Sequence, residues 1–218
     1  MTMEIPEAVI LDIDGTLVDS NYQHVIAWQR AFAENGLEIA AWRIHRCIGM
    51  GGDQIVSTLA GQDVEERSGD RIRESEGAIY SELMPEVAAF EGAASLIRML
   101  KDRELTVILA SSAKEEEVEH YVDLLEATGL HDGYTSSSDV DSTKPEPDLI
   151  EAALRKAGTG EAVMVGDSVW DVEAARRAGL GTIGVLCGGF GEAELTGAGA
   201  SPVLETIDLV AGEILGGS

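Results

Sequence analysis

Residues 8–17 read AVILDIDGTL, and the type of fold follows from them. An apolar run rich in β-branched side chains ends on Asp12 and Asp14, with Gly15 and Thr16 next, which is typical of a buried strand and a turn. Residues two apart on a strand face the same side, so we expect both carboxylates at one edge of a sheet. There they attract a hard cation, and one of them can act as a nucleophile or as an acid and base. Asp and Gly are also ordinary turn formers, so this stretch alone leaves that simpler interpretation open.

Similar apolar runs recur along the chain, and helix-like amphipathic segments lie between them. Strands that alternate with helices in this way predict an α/β fold with a mostly parallel sheet covered on both faces. The runs are residues 8–13, 106–110, 162–165 and 182–187, and the segments that follow them include residues 115–125, 147–157 and 169–178.

The segment between the first two runs is much longer than one crossover needs, and it contains no convincing strand pattern. Its helical patterns predict an all-helical insertion over residues 20–88, which leaves residues 1–19 and 89–218 as the core. We expect the insertion to lie over the carboxyl ends of the strands, where open α/β sheets bind ligands. The helical patterns cover residues 21–35, 53–59, 65–83 and 93–101.

Two further polar residues belong to the later strands and loops. Ser111 directly follows the second run, where its hydroxyl can bind a phosphoryl oxygen or cap the next helix, and Ser112 competes for either role. Lys144 stands in TKPEP, between stiffening prolines in an acidic loop, although a loop lysine is usually just a solvated charge.

The sequence VGDSVWD ends the third run and opens a helix. Asp167 can ligate a cation there, and Asp171, four residues on, can reach back as a second ligand or as an anchor. Helix capping by Asp or Ser explains one of these acidic residues but not the pair. All of these polar residues directly follow the apolar runs or lie in the loops between them. This placement favours a single chemical site over a set of unrelated turns and helix caps.

Composition limits the classes of partner. The 218 residues carry a net charge of −25 and are 44% hydrophobic, so we expect a globular protein that repels nucleic acid and anionic membranes. The excess of acidic side chains indicates a solvated surface that aids solubility or, alternatively, adaptation to a salty cytoplasm. We find no membrane-spanning run or signal peptide pattern and expect a cytoplasmic location. Cys47 and Cys187 lack zinc-site spacing and are expected to be buried thiols.

The ordered set DIDGT, LASS, KPEP and GDSVWD resembles the four motifs of the haloacid dehalogenase superfamily, in the branch with a helical cap after the first strand. GGFGEAEL resembles its phosphoglycolate phosphatase-like members. The resemblance implies a Rossmann-like core and a magnesium-dependent phosphatase that acts on a small phosphomonoester. The implied roles are nucleophile for Asp12, general acid and base for Asp14, phosphate binding for Ser111 and Lys144, Mg²⁺ binding for Asp12, Asp14 (through its carbonyl) and Asp167, and metal support for Asp171.

Other members of the superfamily differ at testable positions. Dehalogenases of this fold lack the second aspartate, and phosphonate-cleaving members need a cap lysine, whereas the first lysine here is Lys101. The alternative is a sugar-phosphate mutase similar to β-phosphoglucomutase, since His24 and Trp28 match its spacing. Those mutases carry a cap arginine three residues after the glycine that corresponds to Gly49, and this chain has Gly52 there, so we expect hydrolysis.

We expect the cap residues His24, His45, Arg46 and Gly49 to meet the substrate, although Arg46 fits a surface ion pair equally well. Trp28 is expected mainly on a buried helix face. A remote alternative is a non-catalytic binding module. The sequence leaves the substrate's identity and the oligomeric state open.

Overall fold

The computed structural model describes residues 5–140 and 142–216, and its centre is one six-stranded, all-parallel sheet. The strands are β1 (Ala8–Asp12), β2 (Thr106–Ala110), β3 (Gly133–Thr135), β4 (Ala162–Gly166), β5 (Gly181–Val185) and β6 (Val203–Leu204). The strand order is β3-β2-β1-β4-β5-β6, so the first strand lies in the middle between β2 and β4.

Helices cover both faces of the sheet, as the sequence predicts, because alternate residues of each strand point to opposite sides. The core helices are α5 (Ala93–Asp102), α6 (Glu115–Leu124), α7 (Asp148–Ala157), α8 (Val169–Arg177), α9 (Glu192–Ala198) and α10 (Val210–Leu215). Val9 and Leu11 of β1 pack in the cluster that includes α5, α6 and α10, whereas Ile10 packs in the cluster of α7 and α8.

Four helices between β1 and α5 form a separate apolar cluster of their own. Trp28 and Phe32 of the first helix pack there against Ile55 and Ile72 of the third and fourth. These helices are α1 (Asn21–Glu34), α2 (Ala41–His45), α3 (Gly52–Ala60) and α4 (Gln62–Leu83).

The chain enters and leaves this helical segment at one narrow neck, which we define as the antiparallel bridge between Val18 and Ala89. The backbone N–H of Asp19 donates to the carbonyl of Ala88 at 2.8 Å, and that of Phe90 donates to Leu17 at 2.9 Å. This arrangement supports a cap over residues 20–88, and those boundaries remain a prediction.

Two expectations were wrong in detail. β1 ends at Asp12, and a turn with Gly15 at a φ of +76° follows, so Asp14 is not on the strand. Cys187 is only half-buried, whereas Cys47 is buried as expected. In the described residues no helix combines the length and apolarity needed to cross a bilayer.

Candidate active site

The carboxyl ends of the central strands and the four-helix segment enclose a cavity of about 290 Å³. Parallel strands bring their carboxyl ends to one edge, so residues that follow β1, β2 and β4 converge there. From the core, the lining includes Asp12, Asp14, Ser112, Lys114, Glu117 and Lys144, and from the helical segment it includes His24, Trp28, Gly49, Gly52, Ile55, Arg73 and Glu76.

Asp12 lies buried at the end of β1 and is paired with Lys144, which is only 1% exposed. Thr16 Oγ1 also donates to Asp12 Oδ2 at 3.0 Å. Lys144 Nζ donates a second time to Asp171 Oδ1, at 2.6 Å. Burial alone would lower the pKa of Lys144, but the charges of Asp12 and Asp171 raise it, so the amine is charged. Lys144 is therefore not a solvated loop charge.

Three buried carboxylates, those of Asp12, Asp167 and Asp171, each place one oxygen within 4.8 Å of the others. Burial first, and then the charge of Asp171, raise the pKa of Asp12 well above its usual range and that of Asp167 to about 7. Lys144 supplies a single positive charge against three carboxylates. A cluster of hard oxygen donors with excess negative charge fits a divalent cation such as Mg²⁺.

Asp171 both caps α8 and anchors Lys144. Its Oδ2 accepts hydrogen bonds from Ser168 N at 3.0 Å and from Ser168 Oγ at 2.6 Å, in a capping box at the start of α8. Its Oδ1 accepts from Lys144. The cap fixes the Asp171 side chain, and this in turn fixes the lysine beside Asp12.

Asp14 belongs to a different network. Its carboxylate accepts hydrogen bonds from Ser20 Oγ at 2.7 Å and Ser111 Oγ at 3.0 Å, and His24 Nε2 lies 3.5 Å from Oδ1. Burial would raise the pKa of Asp14, but the hydrogen bonds, that of His24 foremost, lower it. Asp12 and Asp14 are thus neighbours in sequence with opposite electrostatic environments.

His24 links Asp14 to the helical segment. Its Nδ1 lies 3.1 Å from Glu76 Oε1, and its ring stacks on Tyr80 with 3.7 Å between centroids. Burial would lower the pKa of His24, but the hydrogen bonds to Asp14 and Glu76 raise it to about 10. The imidazole is therefore protonated between two carboxylates.

Ser111 is fully buried after β2, and its Oγ is occupied by Asp14 and by the N–H of Ala113 at 3.0 Å. It does not cap α6, whose N-cap is Lys114. Ser112 lines the cavity, and its Oγ has no hydrogen-bond partner among the described residues. The competition between the two serines for phosphate binding stays open.

His24 and Gly49 line the cavity, whereas His45 and Arg46 are not among the described residues that line it. Contact of any of the four with substrate stays a prediction. His45 Nε2 lies 3.1 Å from the carbonyl of Gly188, and Arg46 pairs with Glu194 at 3.3 Å. Helix α2 ends at His45, and the ring of His45 contacts Gly188 in the loop after β5.

Sequence reasoning missed Arg73, Glu76 and Glu117. Arg73 and Glu76 are three residues apart on α4, so they share a helix face, and that spacing was the available signal. Arg73 Nη1 donates to the carbonyl of Gly52 at 3.3 Å. A cap arginine from α4 therefore lies beside Gly52, the position at which the sequence itself has no arginine.

Comparison with known proteins identifies the family. Residues 9–185 match the family model described as haloacid dehalogenase-like hydrolase. The validoxylamine A 7'-phosphate phosphatase of Streptomyces hygroscopicus is 24% identical over 82% of this chain and 85% of its own length. The phosphoglycolate phosphatase of Pseudomonas putida is 25% identical over 84% of this chain and 71% of its own.

Solved structures agree in fold. A hydrolase from Pseudomonas syringae is 34% identical, with a TM-score of 0.87 over 93% of this chain and 95% of that one. The β-phosphoglucomutase of Clostridium difficile, at 18% identity, has a TM-score of 0.82 over 97% of this chain and 98% of that one, which concerns the fold alone. The chain therefore belongs to the haloacid dehalogenase-like hydrolase family, and it is an enzyme of that family, a phosphatase.

Proposed function

We propose that this phosphatase hydrolyses a small phosphomonoester with the help of Mg²⁺, through a phosphoryl group carried on Asp12. The observation that carries the proposal is the separation of two carboxylates into two networks. Asp12 lies with Lys144 and the acidic cluster, whereas Asp14 lies with Ser20, Ser111 and His24. Pairs of titratable groups with contrasting environments are typical of divided catalytic roles. Burial raises the pKa of Asp12, but the charge of Lys144 lowers it, as a nucleophile requires, and a bound Mg²⁺ would lower it further.

In the proposed reaction an oxygen of Asp12 attacks phosphorus, the bond from phosphorus to the ester oxygen breaks, and Asp14 gives a proton to the leaving alkoxide. Asp14 then takes a proton from water as the water oxygen attacks the phosphorus of the aspartyl-phosphate. Inorganic phosphate leaves, and the Asp12 carboxylate is regenerated. Asp14 keeps the proton that it takes from water and gives it to the alkoxide of the next substrate, so the cycle balances in protons.

Positive charge must oppose the phosphoryl oxygens and Asp12 during transfer, and Lys144 supplies part of it. Mg²⁺, when held by Asp12, Asp167 and the carbonyl of Asp14, supplies the remainder as a Lewis acid. Asp171 supports this set by fixing Lys144. Ser111 and Ser112 remain the candidates for hydrogen bonds to the phosphoryl group.

A small substrate is supported by the cavity of about 290 Å³, which is at the lower limit of the roughly 300–1,000 Å³ common for ligand pockets. Phosphatases of small phosphorylated compounds among the relatives point the same way. The charge of −25 argues against polyanionic partners. The cytoplasmic location stays a prediction.

The mutase alternative is weakened further by the state of Arg73. Its Nη2 donates to Glu65 Oε1 at 2.8 Å and to Asp70 Oδ1 at 2.7 Å, so two carboxylates already offset its charge. A mutase must retain a bisphosphate by its distal phosphate, which requires a cation that is free to bind it.

The test is phosphate release from p-nitrophenyl phosphate and small phosphomonoesters, with Mg²⁺ and with a chelator. We expect metal-dependent release that Asp12→Asn abolishes and that the control Asp19→Asn, at an exposed position two residues beyond the turn, leaves intact. Phosphoenzyme trapping should map the phosphoryl group to Asp12. Full activity of Asp12→Asn, or activity that survives exhaustive chelation, would contradict the proposal.

A further inference from the structure

The part of the cavity formed by the helical segment carries charged groups as well as apolar ones. Trp28 and Ile55 form part of an apolar wall. The charged residues that line the cavity near it include His24, Asp53, Arg73, Glu76, Lys114 and Glu117. The catalytic core already provides Lys144 and a metal-binding cluster for the phosphoryl group. The groups on the wall are therefore available to the leaving group, the alcohol that remains after the phosphate is transferred.

Arg73 is not free to bind an anion on that alcohol. Its Nη1 donates to Gly52 O at 3.3 Å and to Glu65 Oε2 at 3.0 Å. Its Nη2 donates to Glu65 and to Asp70. Four of the donor directions of a guanidinium are thus occupied, and the two carboxylates outweigh its single charge. Arg73 shapes the wall and adds no net positive charge to it.

Glu76 and Glu117 present acceptors. One oxygen of Glu76 binds His24, at 3.1 Å, and each carboxylate has several lone pairs for further donors. Glu117 lies half-buried on α6 and faces the same cavity. Hydroxyl and ammonium groups satisfy such acceptors, whereas a carboxylate or a second phosphate meets repulsion from both. Lys114 lines the same cavity and acts on Glu117, and its single charge offsets only part of this repulsion.

We infer that the leaving group is a hydroxylated or aminated alcohol with no second anionic group, and that Glu117 and Glu76 recognise it. This inference rests on the proposed function, since it concerns the alcohol that the phosphatase releases. The apolar wall of Trp28 and Ile55 would contact the carbon skeleton of that alcohol, and the two carboxylates would contact its polar substituents. A phosphoester of an amino sugar or a polyol has this chemistry, and phosphoglycolate does not.

The experiment compares kcat/KM for four phosphoesters with the full chain and Mg²⁺. Glucosamine 6-phosphate carries an ammonium group, glucose 6-phosphate is a neutral polyol, phosphoglycolate carries a carboxylate, and fructose 1,6-bisphosphate carries a second phosphate. We expect the first two to exceed the last two by at least about tenfold, as for a charge-assisted hydrogen bond gained or lost. An equal or higher kcat/KM for phosphoglycolate or the bisphosphate would overturn the inference.

Glu117→Gln tests the residue itself. It should lower the ratio of glucosamine 6-phosphate to phosphoglycolate by about tenfold, mainly through KM, because glutamine keeps the shape and removes the charge. Glu116→Gln, one residue away and exposed on the same helix, is the matched control and should leave the ratio unchanged. A ratio that is the same in wild type and Glu117→Gln would refute the role of Glu117.

p-Nitrophenyl phosphate carries neither an anionic group nor a hydroxyl or ammonium group on its leaving alcohol. It therefore distinguishes failure of the inference from failure of the proposed function. Release from it together with a preference for anionic esters refutes the inference and leaves the proposed function in place. No release from any ester refutes the proposed function. Even if no ester is hydrolysed, calorimetry on folded Asp12→Asn measures which ester binds more tightly. Tighter binding of phosphoglycolate than of glucosamine 6-phosphate would refute the inference by itself.

Discussion

Glu117 should make this protein less stable as the pH rises from 4.5 to 7, which is unusual for a carboxyl group. Burial first, and then the charges of Asp14 and Glu76, raise the pKa of its carboxyl from 4.5 to about 7 despite the opposing charge of His24. The folded state therefore binds more protons at this position than the unfolded state between pH 4.5 and 7. Stability falls as pH rises through that window, and the full penalty is present above pH 7.

The size of the effect follows from the shift. A displacement of this size corresponds to about 3 kcal/mol at most, and the partial exposure of Glu117 reduces this to about 2 kcal/mol. Glu117→Gln does not titrate. The variant should therefore match wild type near pH 4.5 and be more stable by about 2 kcal/mol at pH 8.

Urea unfolding of both proteins at pH 4.5, 6 and 8, in the presence of a chelator, measures this difference. All other titrating groups are common to the two proteins and cancel in the comparison. Glu116→Gln, at an exposed position, should show no pH-dependent difference. A stability difference that is independent of pH, or one that grows toward low pH, would refute the reasoning.

Three further predictions concern the catalytic core. Lys144→Met leaves Asp12 and Asp171 without a cation and should destabilise the chelated protein by about 3–5 kcal/mol in urea unfolding; unchanged stability would contradict the buried pairing. Mg²⁺ at about 100 times its Kd should raise the Tm by about 5–10 °C. Asp167→Asn should reduce this shift, and an equal shift in the variant would exclude Asp167 as a ligand. Asp14→Asn should release one p-nitrophenolate per enzyme molecule in a burst and then stall, because nitrophenolate leaves without a proton but the aspartyl-phosphate needs a base; steady turnover without a burst would contradict the role of Asp14.

The sequence was most informative where polar residues directly follow apolar runs. All four runs are strands, and Asp12, Ser111 and Asp167 lie together because parallel strands share their carboxyl edge. β3 and β6 were missed, since three and two residues are too few to show alternation.

The cap side of the cavity was harder to predict because it depends on how helices are rotated over the sheet. His45 and Arg46 are polar residues at a helix end, but only the packing of α2 decides that they face Gly188 and Glu194. Glu117 stands in an acidic first turn that looks like a solvated surface. Glu117 is partly buried by elements that are distant in sequence, so the local sequence pattern does not predict its burial.

The neck at Val18 and Ala89 makes the helical insertion exchangeable. Because its two ends already meet through backbone hydrogen bonds, we expect an insertion of a different length to join the core there without displacing β1 or α5. The entropy of closing a longer loop rises only slowly with length. Most residues proposed for phosphoryl transfer would stay behind, whereas Ser20, which donates to Asp14, would be replaced together with His24, Arg73 and Glu76. A transplanted insertion would also need partners for Gly188 and Glu194, which His45 and Arg46 now contact. Grafting at this point is therefore a route to new leaving-group preferences on an unchanged catalytic sheet.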